Sequence, residues 1–147
     1  GLMVGLEAAM TRAGEAPPLW LLGDARELFA TAVRVGWTGG EPGSPAAGFV
    51  YTVDWEGQPV VRTRLHWVLA EAIAAAATLG ARTGEASYEE CYRNWWDHAA
   101  ATVIDTSGGS WLIVTIWLGT SRLSGWEETA TRASCRISFR PGMSMDR

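Results

Sequence analysis

The sequence predicts a mainly α protein that forms part of an α/α barrel, two concentric layers of helices, with a β-hairpin inserted. Three observations carry this. The first is "VVRTRLHWVLAEAIAAAATL", Val60 to Leu79, which after two arginines, a histidine and a tryptophan is apolar except for Glu71, as suits a helix enclosed by protein. The second is a pair of amphipathic stretches flanking it, "APPLWLLGDARELFATAVRVGW" and "SYEECYRNWWDHAAATVID", each with one apolar face at helical spacing. The third is "FVYTVDWEGQPVVR", two β-prone runs joined across a turn. Enclosed helices alternating with half-exposed ones describe an inner ring wrapped by an outer one. Solenoid repeats alternate too, but on a shorter and more regular period.

In chain order, "GLMVGLEAAMTRAG" keeps helical spacing through Leu2, Leu6 and Ala9 with no capping residue before it, and reads as the second half of a helix. Two prolines then open the first amphipathic helix, where a missing N–H is tolerated. Leu22, Ala25, Phe29, Ala32, Val33 and Gly36 form its apolar face, while Asp24, Arg26, Glu27, Thr31 and Arg34 lie off it. Residues 38–48, "TGGEPGSPAAG", are a loop by composition. The hairpin follows with Glu56 and Gly57 in its turn, and then the apolar helix from Leu65 to about Arg82. In the last helix Ser87 with Glu90 three residues on is read as a capping box. Its core stripe is Tyr88, Cys91, Trp95, Ala99 and Val103; Trp95 and Trp96 are both expected in the core and His98 at the surface. Residues 1–111 are expected to form the α/α-barrel part and 112–147 a divergent tail, since helical periodicity is lost beyond Trp111 and "LIVTIW" is its one strand-like run.

Composition narrows the function classes. Forty-eight per cent hydrophobic and 19% charged residues over 147 positions describe an ordinary globular chain. Nine tryptophans point to a large core or a carbohydrate-facing cavity. A net charge of −4 argues against a nucleic-acid or anionic-membrane partner. Cys91 and Cys135 make neither a disulfide framework nor a metal spacing, and Cys91 is read as a small buried hydrophobe. No secretory signal precedes the first helix, the run from Leu65 to Ala81 is short for a bilayer span, and the cytoplasm is the expected location.

The entrance to the apolar helix is the candidate site. Arg64, Trp67 and Glu71 are spaced i, i+3, i+7 on one stripe, with His66 on the neighbouring stripe. Helix N-termini in an inner ring share one rim, where unpaired N–H groups favour polar ligands. An indole covering apolar C–H faces beside charged groups that take hydroxyls makes a sugar subsite. The alternative is an ion pair of Glu71 with Arg62 or Arg64, and a hydrogen-bonded packing role for His66. Asp54 with Glu71 is the one carboxylate pair that a glycosidase could use.

The segments "GFVYTVDWEGQPVVRTRLHWVLAEAIAAAATL", "YEECYRNWWDHAAATVID" and "GGSW" resemble the N-acylglucosamine 2-epimerase family, in its aldose–ketose isomerase branch, over about Leu2 to Trp111. The resemblance implies an (α/α)6 barrel and a cavity ringed by inner-helix N-termini. It implies proton transfer at C2 of an open-chain sugar through an enediol, with two histidines as acid and base and no metal or other cofactor. Trp67 and Glu71 match the family's W-x-x-x-E element. The family's catalytic histidines stand in a "PGH"-like helix and in a late "YH" segment; His66 and His98 match neither. After "GGSW" the family continues H-E-L-D, and here "LIVTIW" follows. The expectation is therefore a C-terminal piece of an isomerase or epimerase, inactive by itself and prone to self-association, with a tail that a reading-frame shift near Trp111 would account for. The alternative is a non-catalytic sugar-binding or helical interaction module.

Overall fold

In a computed structural model of the chain, residues 1–105 and 107–112 are described, together with the backbone of 114 and 115. Apart from these few positions, the tail from residue 112 lies outside the described residues.

Among the described residues four helices carry the fold: α1 (Leu2–Arg12), α2 (Trp20–Gly36), α3 (His66–Thr83) and α4 (Ala86–Thr102). Between α2 and α3 lie five short strands, β1 (Trp37–Thr38), β2 (Gly48–Phe49), β3 (Thr52–Val53), β4 (Pro59–Val61) and β5 (Arg64–Leu65). After α4 come β6 (Ile104–Asp105), β7 (Ser110–Trp111) and β8 (Val114–Thr115). The strands described pair antiparallel, β1 with β2, β3 with β4, β5 with β8 and β6 with β7. The expected hairpin is β3–β4. Its turn is held by Asp54, whose Oδ1 accepts the N–H groups of Glu56 at 3.0 Å and Gln58 at 2.7 Å. The loop foreseen over 38–48 is narrowed to 39–47, because Thr38 and Gly48 pair across its base.

The helices pack through the stripes their spacing defines. α3 buries Leu69, Ile73, Ala76 and Leu79, and α4 buries Tyr88, Cys91, Trp95 and Ala99. Small residues let the two approach closely: a Cβ on Gly80 would stand 3.5 Å from the Cβ of Tyr88. Gly84 ends α3 at φ 71°, its N–H on the Gly80 carbonyl at 2.8 Å, a left-handed cap that glycine adopts without strain. At the centre Trp95 meets Phe49 at 5.1 Å, Phe29 at 5.8 Å and Trp37 at 6.0 Å between ring centroids, which ties α4 to α2, β1 and β2. Cys91 is fully buried in this core, on the stripe where the sequence put it.

Several expectations are corrected by packing. No capping box forms at Ser87: α4 starts at Ala86 with extended Glu85 as its N-cap and no side-chain cap bond. Gly84 has already turned the chain, so the helix begins before Ser87 and places that residue inside the first turn. Trp95 is 1% exposed, but Trp96 is 44% exposed, one helical position round from the core stripe. His98 is 3% exposed rather than at the surface. α3 is enclosed on one side only: the row Trp67, Glu71, Ala74 and Ala77 is open, while the buried stripe Leu69, Ile73, Ala76 and Leu79 packs chiefly against α4.

A carboxylate does enter the core, in α1. Glu7 is 8% exposed and takes a two-point contact from Arg82 of α3, with Arg82 Nε 2.6 Å from its Oε2. The Arg82 hydrogen bond and charge hold the Glu7 carboxyl below its ordinary range, against the opposing effect of burial. No helix among the described residues is long and apolar enough to cross a membrane.

Candidate functional site

The strand β5 runs directly into α3 through Leu65, whose extended backbone is the N-cap. Arg64 therefore lies on the last strand residue but one, and His66 and Trp67 in the first helical turn.

Arg64 is half-buried and donates from Nη2 to Thr38 Oγ1 at 3.1 Å. Its Nε is buried with no hydrogen-bond partner. Loss of hydration, followed by the nearby Arg62 charge, lowers its affinity for the proton. Two glycines make the bed for this side chain. A Cβ on Gly48 would stand 2.8 Å from Arg64 Cδ, and one on Gly39 would stand 3.0 Å from Arg64 Nη2. Any larger residue at either position would displace the guanidinium.

His66 is half-buried, with its ring 6.1 Å from that of Trp111. Trp67 is 46% exposed and stands edge-to-face with Tyr51 at 5.7 Å. Glu71 is exposed one turn further on and borders a groove of about 430 Å³ between α1, α2 and α3, lined otherwise by apolar residues such as Val4, Leu28, Phe29 and Ala72. Among the described residues its carboxylate forms no ion pair with Arg62 or Arg64; the ion pairs present are Arg26–Glu85, Arg82–Glu7 and Arg93–Glu89.

The four candidates thus occupy three neighbouring places. Arg64 and His66 border one small cavity, together with Gly48, Leu69 and His98. Trp67 pairs with Tyr51 above it, and Glu71 continues Trp67's row into the groove. Asp54 is committed to its turn through Oδ1 and does not line the groove that Glu71 borders. Among the described residues no three His, Cys, Asp or Glu side chains converge as metal ligands would.

Two residues of this region escaped the sequence reading. Tyr51 is the second aromatic of the exposed pair. His98 is buried beside Arg64's cavity, and its Nδ1 accepts the Gly43 N–H at 3.0 Å. A bond accepted at Nδ1 means that Nε2 carries the ring hydrogen, and Thr102 Oγ1 lies 3.3 Å from it. Burial first, then the Arg64 charge, lowers the His98 pKa, so the ring is held neutral. A signal for it was present: His98 stands i+3 from Trp95 and i+7 from Cys91, on the core stripe itself.

The sequence model of the N-acylglucosamine 2-epimerase (GlcNAc 2-epimerase) family matches residues 1–116. A D-mannose isomerase of Thermobifida fusca is 54% identical over 110 residues, 75% of this chain and 25% of that protein. A D-mannose isomerase of Pseudomonas cannabina pv. alisalensis is also 54% identical over 110 residues, 26% of its length. A crystal structure of D-mannose isomerase superposes with a TM-score of 0.66 at 26% identity, covering 77% of this chain and 26% of that one. The chain therefore spans about a quarter of the length of the relatives it matches. With the family model covering most of its residues and both relatives aligned across three quarters of it, the chain belongs to the N-acylglucosamine 2-epimerase family of sugar epimerases and isomerases.

Proposed function

We propose that this chain supplies one sector of the sugar-binding wall of an aldose–ketose isomerase or sugar 2-epimerase, within a complete (α/α)6 barrel. The observation that carries the reading is the open row on α3: a half-exposed tryptophan and an exposed carboxylate one turn apart, on a helix otherwise packed into the core. Trp67, with Tyr51 beside it, offers an aromatic surface to sugar C–H groups. Glu71 accepts hydroxyl hydrogens, and Arg64 and His66 supply donors at the rim. The relatives' names make D-mannose the first substrate to try.

The chemistry is proton transfer at C2 through an enediol. It requires an acid and a base that titrate near neutrality and reach the substrate. His98 is not such a group, being buried with its Nδ1 bonded to the Gly43 amide. With His66 kept as a donor at the rim, the catalytic pair is assigned to other parts of the whole enzyme, and no activity is expected from this chain alone.

The test is a chimera in which this segment replaces the matching 110 residues of the Thermobifida fusca enzyme. The expected result is retained conversion of D-mannose, no turnover by the isolated 147-residue chain, and a roughly 10- to 100-fold loss of kcat/KM on Glu71→Gln, the worth of one charged hydrogen bond. A folded Glu71→Gln chimera with unchanged kinetics would remove Glu71 from the site. Product analysis in deuterated water separates isomerase from epimerase by where the label enters.

A second reading, a helical interaction module, is favoured by the apolar groove beside Glu71 and by the exposed Leu2 and Leu28 along it. Concentration-dependent sedimentation of the 147-residue chain would support it.

A further inference from the structure

The loop of residues 39–47 begins and ends against Arg64, yet its middle is fastened to a different element. At its base Thr38 Oγ1 accepts from Arg64 Nη2, and Gly39 and Gly48 leave just the room that the guanidinium and its Cδ occupy. At its midpoint the Gly43 N–H donates to His98 Nδ1 on α4. The loop is braced along its length: Trp37 Nε1 donates to the Gly40 carbonyl at 2.7 Å, and Ser44 Oγ accepts from Ala46 N–H at 3.3 Å. A loop so braced transmits a displacement at Gly43 to both ends. Trp37, which anchors one end, itself lies edge-to-face on the His98 ring at 5.3 Å.

We infer that His98 is a positioning residue for Arg64: its neutral imidazole latches the 39–47 loop through the Gly43 amide, and the latched loop sets where the guanidinium points. The latch works in one protonation state only. Nδ1 must keep a lone pair to accept the Gly43 hydrogen, and a proton there turns acceptor into donor and opposes two N–H groups. The titratable groups facing the ring across the small cavity are Arg64 from β5 and His66 from the first turn of α3, and among the described residues no carboxylate lines it. A protonated His98 would therefore be repelled by Arg64, with no carboxylate among the described residues of the cavity to compensate it, in keeping with its lowered pKa. The latch opens as pH falls, releasing loop and guanidinium together.

The effect on sugar binding rests on the reading of Arg64 as a substrate contact, so the test has two arms. In the first, the 147-residue chain is labelled with 15N at glycine and arginine and followed by NMR from pH 8 to pH 5. The Gly43 amide and the Arg64 Nε–H signals are expected to move together, with one midpoint below the ordinary histidine value of about 6.5. In His98→Gln, whose amide oxygen can accept the same bond without titrating, both signals should stay still and the Gly43 amide should remain protected. In His98→Ala, Gly43 exchange should be roughly fivefold faster, as for one lost hydrogen bond. A Gly43 signal that stays flat while the His98 ring titrates would overturn the latch, and so would an unchanged titration in His98→Gln. These two comparisons decide the matter even if His98→Ala does not fold. In the second arm the chimera carries the same variants. His98→Ala should raise KM at nearly constant kcat, with His98→Gln restoring it; no change in KM, with the first arm intact, would overturn the sugar contact of Arg64 and leave the latch.

Discussion

Truncating Trp95 to alanine removes the side chain that four elements share. Trp95 is 1% exposed and touches the rings of Phe29, Trp37 and Phe49 at centroid separations of 5.1–6.0 Å. Loss of a fully buried tryptophan costs about 3–5 kcal/mol, the transfer term plus that of the void left behind. Its neighbour makes the control. Trp96 is 44% exposed and keeps one edge-to-face contact, with Trp111 at 6.2 Å, so Trp96→Ala should cost about 1 kcal/mol. Urea unfolding of the 147-residue chain, followed by far-UV circular dichroism, reads the difference. With a slope near 2 kcal/mol per M, the Trp95→Ala midpoint should fall by about 2 M and that of Trp96→Ala by about 0.5 M. If Trp95→Ala is unfolded in water, Trp95→Phe provides the smaller, measurable step. Equal losses for the two alanine variants, or a loss under about 1 kcal/mol at Trp95, would refute the assignment of this ring cluster as the centre of the core.

Other outcomes follow from the same structure. Gly80→Ala should stabilise by about 0.5–1 kcal/mol, since the new methyl would meet Tyr88 Cβ and Glu89 N at 3.5 and 3.7 Å, ordinary contact, while α3 gains helix propensity; a lower urea midpoint would refute this. Gly39→Ala should destabilise by more than about 1 kcal/mol, because at φ 86° its Cβ would fall 1.7 Å from the Ala46 carbonyl oxygen. Stability should also depend on pH through His98. Its folded pKa is depressed, so the unfolded chain binds the proton first; the contribution is complete above about pH 6.5 and is lost as pH falls toward the folded value. That loss should vanish in His98→Gln. A further loss on acidification below about pH 4.3 should come from Glu7, whose carboxyl is held low by Arg82, and Arg82→Ala should remove it. In the chimera, Trp67→Ala should weaken sugar binding while leaving the urea midpoint nearly unchanged, as befits a ring 46% exposed.

Legibility followed the range of the forces involved. The hairpin turn was readable because Asp54, Glu56 and Gly57 settle it among themselves, within five residues. The core stripes of α3 and α4 were readable because apolar spacing is a property of one helix. The capping box was misread because the pattern at Ser87 and Glu90 is common to many helix starts, and the left-handed turn at Gly84 had already decided the boundary. Among the candidate residues, Trp67 and Glu71 share the row expected of them, whereas Arg64 turns away toward Thr38 and a glycine bed that no local pattern announces.

The sequence by itself determined which residues share a face: period, propensity and turn chemistry act over a few residues and are written in the chain. Only the tertiary structure decided what covers each face. Packing against α2 and β1 drew Trp95 and His98 inward and left Trp96 out; Arg82, 75 residues away, made a buried carboxylate of Glu7; and the absence of a covering element among the described residues left the Trp67–Glu71 row open. Burial and charge pairing depend on atoms brought together from distant positions, and a hydrophobic period carries no record of which ones they will be.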